Sequence, residues 1–531
     1  MKRRFWGWGY EEAGPDPAAL GAAQAGLRHL LGVPVEPKIA RPGLDEVSLR
    51  EPRVPIPPSL AAIASDAPID RASHTYGRSY RDLVRATRRD FSCPPDLVAF
   101  PETEQDVVRV LEHCDREGLA AIPFGGGSSV CGGVEADPEG RFRAAVSIDL
   151  GRLDRVAEVD VRSRAARIQG GVLGPSLEDQ LRPHGLTLRH FPQSFEFSSL
   201  GGWIATRAGG HFATLLTHID DLVESVRVVT PTGTVATRRL PGSGAGPSPE
   251  RLFLGSEGTL GVITEAWMRL QERPRFRASF SASLPDFERG IEAVRALAQS
   301  GLFPSNCRLL DPLEALVSGA GGGDHAALLV AFESADHPLD APIRRAAELC
   351  RDHGGVVPEG SLGTRTAGEG DRAGAAGAWR GAFLRGPYLR DELVLMGLFV
   401  ETFETAVTWD RFGALHGAVL DAAGRAARES GKGGAVVSCR ITHVYPDGAA
   451  PYYTVIAPAA EGQELEQWDT VKRAITGAIL DHGGTTTHHH AVGRDFRPYY
   501  ERERDPGFSR VLAAAKRELD PRGILNPGVL L

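Results

Sequence analysis

Several residues in the second half of the chain have side chains suited to acid–base chemistry on an anionic substrate. Three adjacent histidines, His488, His489 and His490, follow a segment with helical spacing, and Tyr452 belongs to a strand pattern. Histidine titrates near neutral pH, and a tyrosine beside a cationic or hydrogen-bonded neighbour can move a proton. Arg390 offers a planar fork of donors that suits a phosphate. Taken singly, an arginine or a tyrosine in such a place is more often structural.

The three histidines also allow a metal site as an alternative. On a strand, neighbouring side chains alternate between faces, so only His488 and His490 would share a ligand. The sequence has no companion His or Cys cluster at ligand spacing. We therefore expect no metal.

Three glycine-rich segments in the first half suit a phosphorylated cofactor. The first, residues 123–129, has three glycines and then two hydroxyls, which allows a tight turn and points several backbone N–H groups at one anion. One such stretch is most often a surface turn. The others, residues 189–203 and 254–264, follow in the same region, and together the three indicate a pyrophosphate site.

The first glycine loop closes a strand, helix, strand pattern. A strand is expected at Leu97–Phe100, a helix opens at the capping pair Thr103 and Asp106, and a second strand at Ala120–Pro123 leads into the loop. A Rossmann fingerprint would place its glycines after the first strand, so we exclude that fold.

Composition limits the class of protein. A chain of 531 residues is too long for one core and predicts two or three domains. A net charge of -8 gives no reason to expect a nucleic-acid partner. Six scattered cysteines without a C-x-x-C pair fit a reducing cytoplasm. We see no signal-peptide core and no apolar run of bilayer length, which leaves peripheral membrane contact open.

The predicted fold class is α+β with three parts. Residues 1–92 form a helical docking segment, with Trp6 and Trp8 as packing anchors, residues 93–273 the cofactor domain, and residues 274–531 an α/β cap domain with an antiparallel sheet. The Gly/Ala/Arg-rich residues 358–385 lack periodicity and predict an irregular loop, either a mobile lid or a surface linker.

Residues 93–272 resemble the FAD-binding domain of the vanillyl-alcohol-oxidase or PCMH-type family. The resemblance implies a two-subdomain domain that binds FAD. The flavin should be non-covalent, because the first loop has Ser128 and Ser129 and lacks the histidine that tethers it in some relatives. The residues that match cofactor contacts of the family are Pro123, Phe124, Gly125, Gly126, Gly127, Ser128, Ser129, Gln193, Ser194, Phe195, Glu196, Phe197, Ser198, Ser199, Thr206, Arg207, Ala208, Gly209, Glu257, Gly258, Thr259, Leu260, Gly261, Val262 and Ile263.

Five segments of the second half resemble those of one family in particular, the alkyldihydroxyacetonephosphate synthases. These segments are residues 308–311, 388–391, 404–411, 445–452 and 488–490. The resemblance implies exchange of the acyl chain of acyl-dihydroxyacetone phosphate for a fatty alcohol, with the flavin as a covalent catalyst and no net redox change. It also implies catalytic roles for Tyr452, Arg308 and the three histidines, substrate binding by Arg390, lipid substrates and a homodimer.

Two alternatives stay open at this point. One is an FAD-dependent oxidase or dehydrogenase of a 2-hydroxy acid, and the other is a flavin-binding protein that has lost activity. Three departures from the family pattern leave the acyl-chain pocket and the substrate undecided. Gln193 replaces a usual acidic residue, residues 211–217 are less polar than in eukaryotic synthases, and Pro451 brings a fixed φ and no N–H next to Tyr452.

Overall fold

The computed structural model describes residues 2–12, 14–136, 140–366, 374–431 and 433–531. The helices before residue 210 are α1 (Pro17–Leu31), α2 (Pro68–Ser73), α3 (Tyr80–Thr87), α4 (Glu104–Glu117), α5 (Gly174–Leu181) and α6 (Leu200–Thr206). The strands up to residue 269 are β1 (Ala64–Ser65), β2 (Leu97–Ala99), β3 (Ala120–Phe124), β4 (Ala145–Asp149), β5 (Val156–Asp160), β6 (Ala165–Gln169), β7 (Leu186–Thr187), β8 (Val223–Thr230), β9 (Gly233–Ala236) and β10 (Val262–Arg269).

Apart from β7, these strands form two separate sheets, which confirms the predicted two-subdomain arrangement. One sheet has the order β1-β2-β4-β3, and the other has the antiparallel order β5-β6-β10-β8-β9. The capping box of Thr103 and Asp106 opens α4 as predicted. Strands β2 and β3 are not neighbours, because β4 lies between them and pairs with both in parallel.

The second half contains one large antiparallel sheet and its helices, as predicted for the cap domain. Its strands are β11 (Gln271–Glu272), β12 (Phe276–Leu284), β13 (Asn306–Leu310), β14 (Ala326–Ser334), β15 (Arg365–Thr366), β16 (Leu398–Glu404), β17 (Val407–Thr408), β18 (Val436–Val444) and β19 (Gly448–Pro458). Its helices are α7 (Phe287–Gln299), α8 (Pro312–Ser318), α9 (Asp340–Asp352), α10 (Gly374–Leu395), α11 (Trp409–Ser430), α12 (Glu464–Asp481), α13 (Arg497–Glu503) and α14 (Pro506–Leu519). The sheet runs β15-β12-β14-β13-β18-β19-β16, with β11 paired separately to β7.

The expectation of an irregular loop over residues 358–385 is wrong for its second part. Residues 367–373 lie outside the described residues, but α10 begins at Gly374 and continues through Pro387. Alanine, arginine and leucine favour a helix, while the scattered glycines and the proline hide its periodicity. The helix matters for the site because it carries Arg390.

Residues near both termini contact the first glycine loop or its neighbours. The Arg3 guanidinium donates to the Gly126 carbonyl at 2.7 Å, and the Trp8 N–H donates to the buried Asp391 carboxylate on α10 at 2.7 Å. The Asn526 side-chain amide donates to the Glu257 carbonyl at 2.7 Å. In the described part of the chain, helices long and apolar enough to cross a membrane are absent.

Candidate active site

A cavity of about 400 Å³ lies between the glycine loops and the cap sheet. Its wall contains most of the predicted site residues: Pro123, Phe124, Gly125, Gly126, Gly127, Ser128, Ser129, Gln193, Ser194, Ser198, Ser199, Thr206, Ala208, Gly209, Glu257, Gly258, Gly261, Val262, Ile263, Arg308, Arg390, Tyr452, His489 and His490. The structure therefore brings segments from distant parts of the sequence to one cavity. Trp8, predicted as a packing anchor, also lines it.

The first glycine loop has the features that a bound diphosphate needs. A Cβ added to Gly126 would lie 1.7 Å from the Phe197 carbonyl oxygen, and one on Gly125 would lie 2.2 Å from Ser199 Oγ. Within the described residues, the backbone N–H groups of 125–128 donate to no acceptor. Unpaired N–H groups at a cavity wall suit an anion, so these residues fit the pyrophosphate of FAD.

Seven predicted site residues do not line the cavity: Phe195, Glu196, Phe197, Arg207, Thr259, Leu260 and His488. Glu196 accepts a hydrogen bond from Tyr388 at 2.9 Å, and Arg207 pairs with Asp220 at 2.7 Å. The Phe195 ring stacks on Trp203. These contacts support the loops, and a direct part for these residues in binding stays a prediction.

Two more of this set hold the third glycine loop in shape. The Thr259 hydroxyl donates to the Ser256 carbonyl at 2.7 Å, and Leu260 is fully buried. Glu257, in the same loop, is buried and accepts from the backbone N–H groups of Val492 and Gly493 at 2.9 and 2.7 Å. Burial, opposed by these two bonds, raises the pKa of Glu257 to about 7.

Tyr452 lies in the middle of three paired strands. Its register partners are Arg440 on β18 and Glu404 on β16, so the three side chains share one face of the sheet. The Arg440 guanidinium lies 3.9 Å from the centre of the Tyr452 ring and is held by Glu314 at 2.7 Å. Pro451 is accommodated where the pairing of β18 and β19 is irregular.

Tyr452 has the cationic neighbour that an acid–base role would need, but this neighbour does not bring the pKa of the phenol below its ordinary value. Burial raises the pKa of Tyr452 above 10.0, and Arg440 opposes this only in part. The phenol is therefore neutral at pH 7. Sequence reasoning missed Arg440, because the register that places it opposite Tyr452 depends on the pairing of two strands.

The three histidines lie in a bend, so the prediction of a strand with alternating faces is wrong. Their backbone N–H groups, at 2.6 to 3.3 Å, donate to the buried carboxylate of Glu404. In a sheet, these backbone N–H groups would donate to carbonyls of a neighbouring strand, and here the Glu404 carboxylate accepts them instead. As a result, sequence neighbours touch: the Nδ1 atoms of His488 and His489 are 3.0 Å apart.

Burial keeps all three histidines neutral at pH 7. It lowers the pKa of His489 to about 4, against the opposing charge of Glu404. It lowers the pKa of His490 and, more strongly, that of His488. Neutral imidazole can accept a proton at one nitrogen and donate from the other.

The absence of a metal stays a prediction. Ring nitrogens of His443, His488 and His489 lie within 4.8 Å of one another. On a strand, His488 and His489 would face opposite sides and would not come together in this way. However, His443 Nε2 lies 2.9 Å from the Gly210 carbonyl oxygen, and His488 Nε2 lies 2.6 Å from the Tyr445 hydroxyl. These nitrogens therefore have protein partners.

Arginines supply the positive charge of the cavity. Arg308, on β13, is buried and donates to the His211 carbonyl at 3.3 Å. Burial, reinforced by the nearby Arg440, lowers the pKa of Arg308 to about 9, so it is still cationic at pH 7. Arg390 donates to the Arg78 carbonyl, and its buried Nε–H has no acceptor among the described residues. The positive charges of Arg308 and Arg390 therefore make the cavity suitable for binding an anion.

Replacing Glu404 with glutamine is expected to destabilise the protein by roughly 3–5 kcal/mol, because an amide NH₂ would face backbone donors. Burial opposes ionisation, but the histidines, which become charged in the acid range where this carboxyl titrates, and the Thr487 hydroxyl hold the pKa of Glu404 below its ordinary 4.5. A carboxyl group whose pKa is lowered on folding stabilises the folded protein at pH values above its ordinary pKa. This stabilisation is lost as the pH falls below that value. Urea unfolding should therefore show the largest deficit at pH 7 and a smaller one below pH 4.5.

The matched control for this change is Glu501→Gln. Glu501 is exposed and pairs with Arg497 across one helical turn. We expect its replacement to change the unfolding free energy by less than about 0.5 kcal/mol. Equal effects of the two substitutions would contradict the role given to Glu404.

Comparison with known proteins places this site in a family. Residues 95–238 match the FAD binding domain family, and residues 273–530 match the C-terminal domain of FAD linked oxidases. An alkyldihydroxyacetonephosphate synthase of Trypanosoma brucei brucei is 32% identical over 87% of this chain and 77% of its own length. A mitochondrial D-lactate dehydrogenase of Arabidopsis thaliana is 26% identical over 82% of this chain and 73% of its own length.

A solved structure of an alkyldihydroxyacetonephosphate synthase agrees along almost the whole chain. It is 26% identical, covers 99% of this chain and 98% of its own, and superposes with a TM-score of 0.82. FAD is the cofactor for which the matched domain and the unpaired N–H groups of the first glycine loop are suited. The chain belongs to the alkyldihydroxyacetonephosphate synthase family of FAD-dependent enzymes.

Proposed function

We propose that this protein exchanges the acyl chain of acyl-dihydroxyacetone phosphate for a fatty alcohol, forming the ether bond of ether lipids. The observation that carries the proposal is the composition of one cavity. It joins a loop suited to FAD, a buried Arg390 Nε–H without an acceptor among the described residues, and an apolar wall. A substrate that carries both a phosphate and a hydrocarbon chain requires a site with both a cationic donor such as Arg390 and an apolar wall.

The apolar part of the wall supports an alkyl or acyl chain as ligand. It is formed by Val317, Leu389, Leu393, Val400 and Ile456, which come from α8, α10, β16 and β19. Each buried methylene of a chain contributes about 0.8 kcal/mol. Arg390 is one residue from Leu389, so the phosphate donor and the chain pocket are adjacent on α10.

The residues divide the chemistry among them. FAD, when bound, supplies the covalent catalyst of the exchange. Arg390 binds the phosphate, and Tyr452 is the acid–base group at C1 of the substrate: it accepts the C1 proton as a phenolate and returns it as the neutral phenol. The Arg440 guanidinium over the Tyr452 ring stabilises the phenolate that forms. His489 and His490, both at the cavity wall, take the hydroxyl proton of the alcohol.

The second candidate is oxidation of a 2-hydroxy acid, in which a histidine base would help a hydride leave. The apolar wall argues for the lipid substrate, because a short hydroxy acid has no chain to bury there. The two functions differ in redox balance: the exchange needs no electron acceptor, whereas the oxidation reduces the flavin.

Anaerobic mixing of the FAD-loaded enzyme with palmitoyl-dihydroxyacetone phosphate and hexadecanol tests the proposal. We expect hexadecyl-dihydroxyacetone phosphate and palmitate in equal amounts, without any electron acceptor. Lasting bleaching of the flavin by D-lactate, with no ether product from the lipid pair, would establish the second candidate instead.

Replacing Arg390 with methionine is expected to raise KM for the phosphate-bearing substrate by roughly 10- to 100-fold, because a charge-assisted hydrogen bond contributes about 1.5–3 kcal/mol. Methionine keeps the length of the side chain without its charge. Steady-state kinetics with varied acyl-dihydroxyacetone phosphate measures the change. The control is Arg425→Met, which removes an exposed arginine paired with Asp421.

Contact with a membrane and a homodimer belong to the same proposal. Val317, at the cavity wall, is 48% exposed, and its neighbour Leu316 is 46% exposed, so an apolar surface adjoins the chain pocket. The Val317→Asp variant should sediment less with phosphatidylcholine vesicles than the wild type does.

Light scattering after gel filtration measures the oligomeric state.

A further inference from the structure

We propose that His488 and His218 conduct the proton released in each turnover from the cavity to solvent, with His489 as its point of entry. The inference rests on the proposed function. It assigns a role to His218, which lies in no motif of the sequence analysis, and to His488, which does not line the cavity.

The balance of the exchange requires such an exit. An ester and an alcohol become an ether and a carboxylic acid: the new C–O bond uses the alcohol oxygen, and the acyl group leaves with the ester oxygen. At pH 7 the fatty acid is a carboxylate, because carboxyl groups titrate near pH 4 to 5. One proton, originally on the alcohol oxygen, must therefore leave the site in every turnover.

Hydrogen-bond distances define one continuous route. His489 lines the cavity beside Tyr452, and their ring centres are 6.0 Å apart. The Nδ1 atoms of His489 and His488 are 3.0 Å apart, and His488 Nε2 is 3.1 Å from His218 Nε2. His488 thus connects the other two rings through its two different nitrogens, which is the arrangement that a relay needs.

Glu404 sets the direction of this route. Its carboxylate lies 3.4 Å from His489 Nδ1, which favours the tautomer with the proton on that nitrogen. In that tautomer Nε2 of His489 is free to accept from the cavity and Nδ1 donates to His488. The Nε2–H of His488 is then shared between the Tyr445 oxygen and Nε2 of His218, and His218 is the nitrogen acceptor that continues the route. Each transfer breaks one N–H bond and forms the next, and the last proton passes from His218 to water.

His218 is the exit because it is the last ring of the route and its side chain is only partly buried. The Tyr445 hydroxyl also approaches His488 Nε2, at 2.6 Å. Burial raises the pKa of Tyr445 to about 12, so this phenol keeps its proton and serves to hold the His488 ring in place.

The test compares kcat of the FAD-loaded wild-type enzyme with His218→Gln at pH 7, with and without added imidazole. We expect a loss of about 10²-fold, the lower end of what general acid–base groups contribute. KM for both lipids and the flavin content should stay unchanged, and imidazole should restore part of the rate. The ratio of kcat in H₂O to that in D₂O should rise in the variant.

Two controls separate a relay from a structural role. His337→Gln removes an exposed histidine far along the sequence from the route and should leave kcat unchanged. Tyr445→Phe, which keeps the ring, should cost much less than His218→Gln. A second replacement, His218→Asn, guards against a defect specific to glutamine.

Three results would overturn the proposal. They are a wild-type kcat in both His218 variants, a lowered kcat that imidazole does not raise, and loss of bound flavin in both variants, which would make His218 structural. Failure of the proposed function is seen separately: the wild-type enzyme would then form no ether, and the relay would have no proton to carry.

Discussion

A Tyr452→Phe enzyme is expected to bind FAD as the wild type does and to lose about 10²- to 10⁴-fold in kcat. The change removes only the hydroxyl, because the phenylalanine ring can still pack under Arg440 and beside His489. Without it, the cavity wall lacks the group that we expect to move the C1 proton. The rate of hexadecyl-dihydroxyacetone phosphate formation and the flavin absorbance measure the two parts of the prediction.

The adjacent Tyr453 provides a matched control. Strand alternation turns it to the opposite face, where its hydroxyl lies 3.2 Å from His416 Nδ1 in the core. Tyr453→Phe should cost about 1 kcal/mol of stability through the lost hydrogen bond and leave kcat close to wild type. Full turnover by Tyr452→Phe would remove Tyr452 from the chemistry.

A Gly126→Ala enzyme is expected to bind FAD roughly 10- to 100-fold more weakly, since strain from overpacking costs about 1–3 kcal/mol. The new Cβ would lie 1.7 Å from the Phe197 carbonyl oxygen and 2.8 Å from the Ser198 Cα. Both are backbone atoms, so the glycine loop itself has to move. Flavin fluorescence on titration of the apoprotein measures the affinity.

Gly413→Ala separates this local effect from a general one. Gly413 lies within α11 with nothing within 4 Å of an added Cβ. Alanine there should stabilise the protein by about 0.5–1 kcal/mol and leave FAD binding unchanged. Unchanged FAD affinity in Gly126→Ala would show that the loop is not closely packed around its cofactor.

The cofactor side of the site could be predicted from sequence because it depends on local patterns. Residues 123–129 have their glycines where the structure needs a close backbone approach, and the preceding strand and helix carry ordinary propensity and capping signals. The order of β2, β4 and β3 was not predictable in the same way, since it depends on which strands pair across α4.

The catalytic side depended on contacts that no local pattern contains. Arg440 reaches Tyr452 only through the register of β18 and β19, and Glu404 arrives from a third strand. The bend of the histidines follows from that carboxylate, whose effect on residues more than eighty positions away leaves no periodicity in the sequence. For this reason the strand expectation was wrong.

The contacts of residues 3 and 526 also set an order of events during synthesis. Arg3 holds the Gly126 carbonyl, and Asn526 holds the carbonyl of Glu257 at the same cavity. A ribosome has released the first of these residues long before it reaches the second. The wall of the FAD pocket therefore becomes complete only after residue 526 has been made, and we expect tight flavin binding only from that point of synthesis onward.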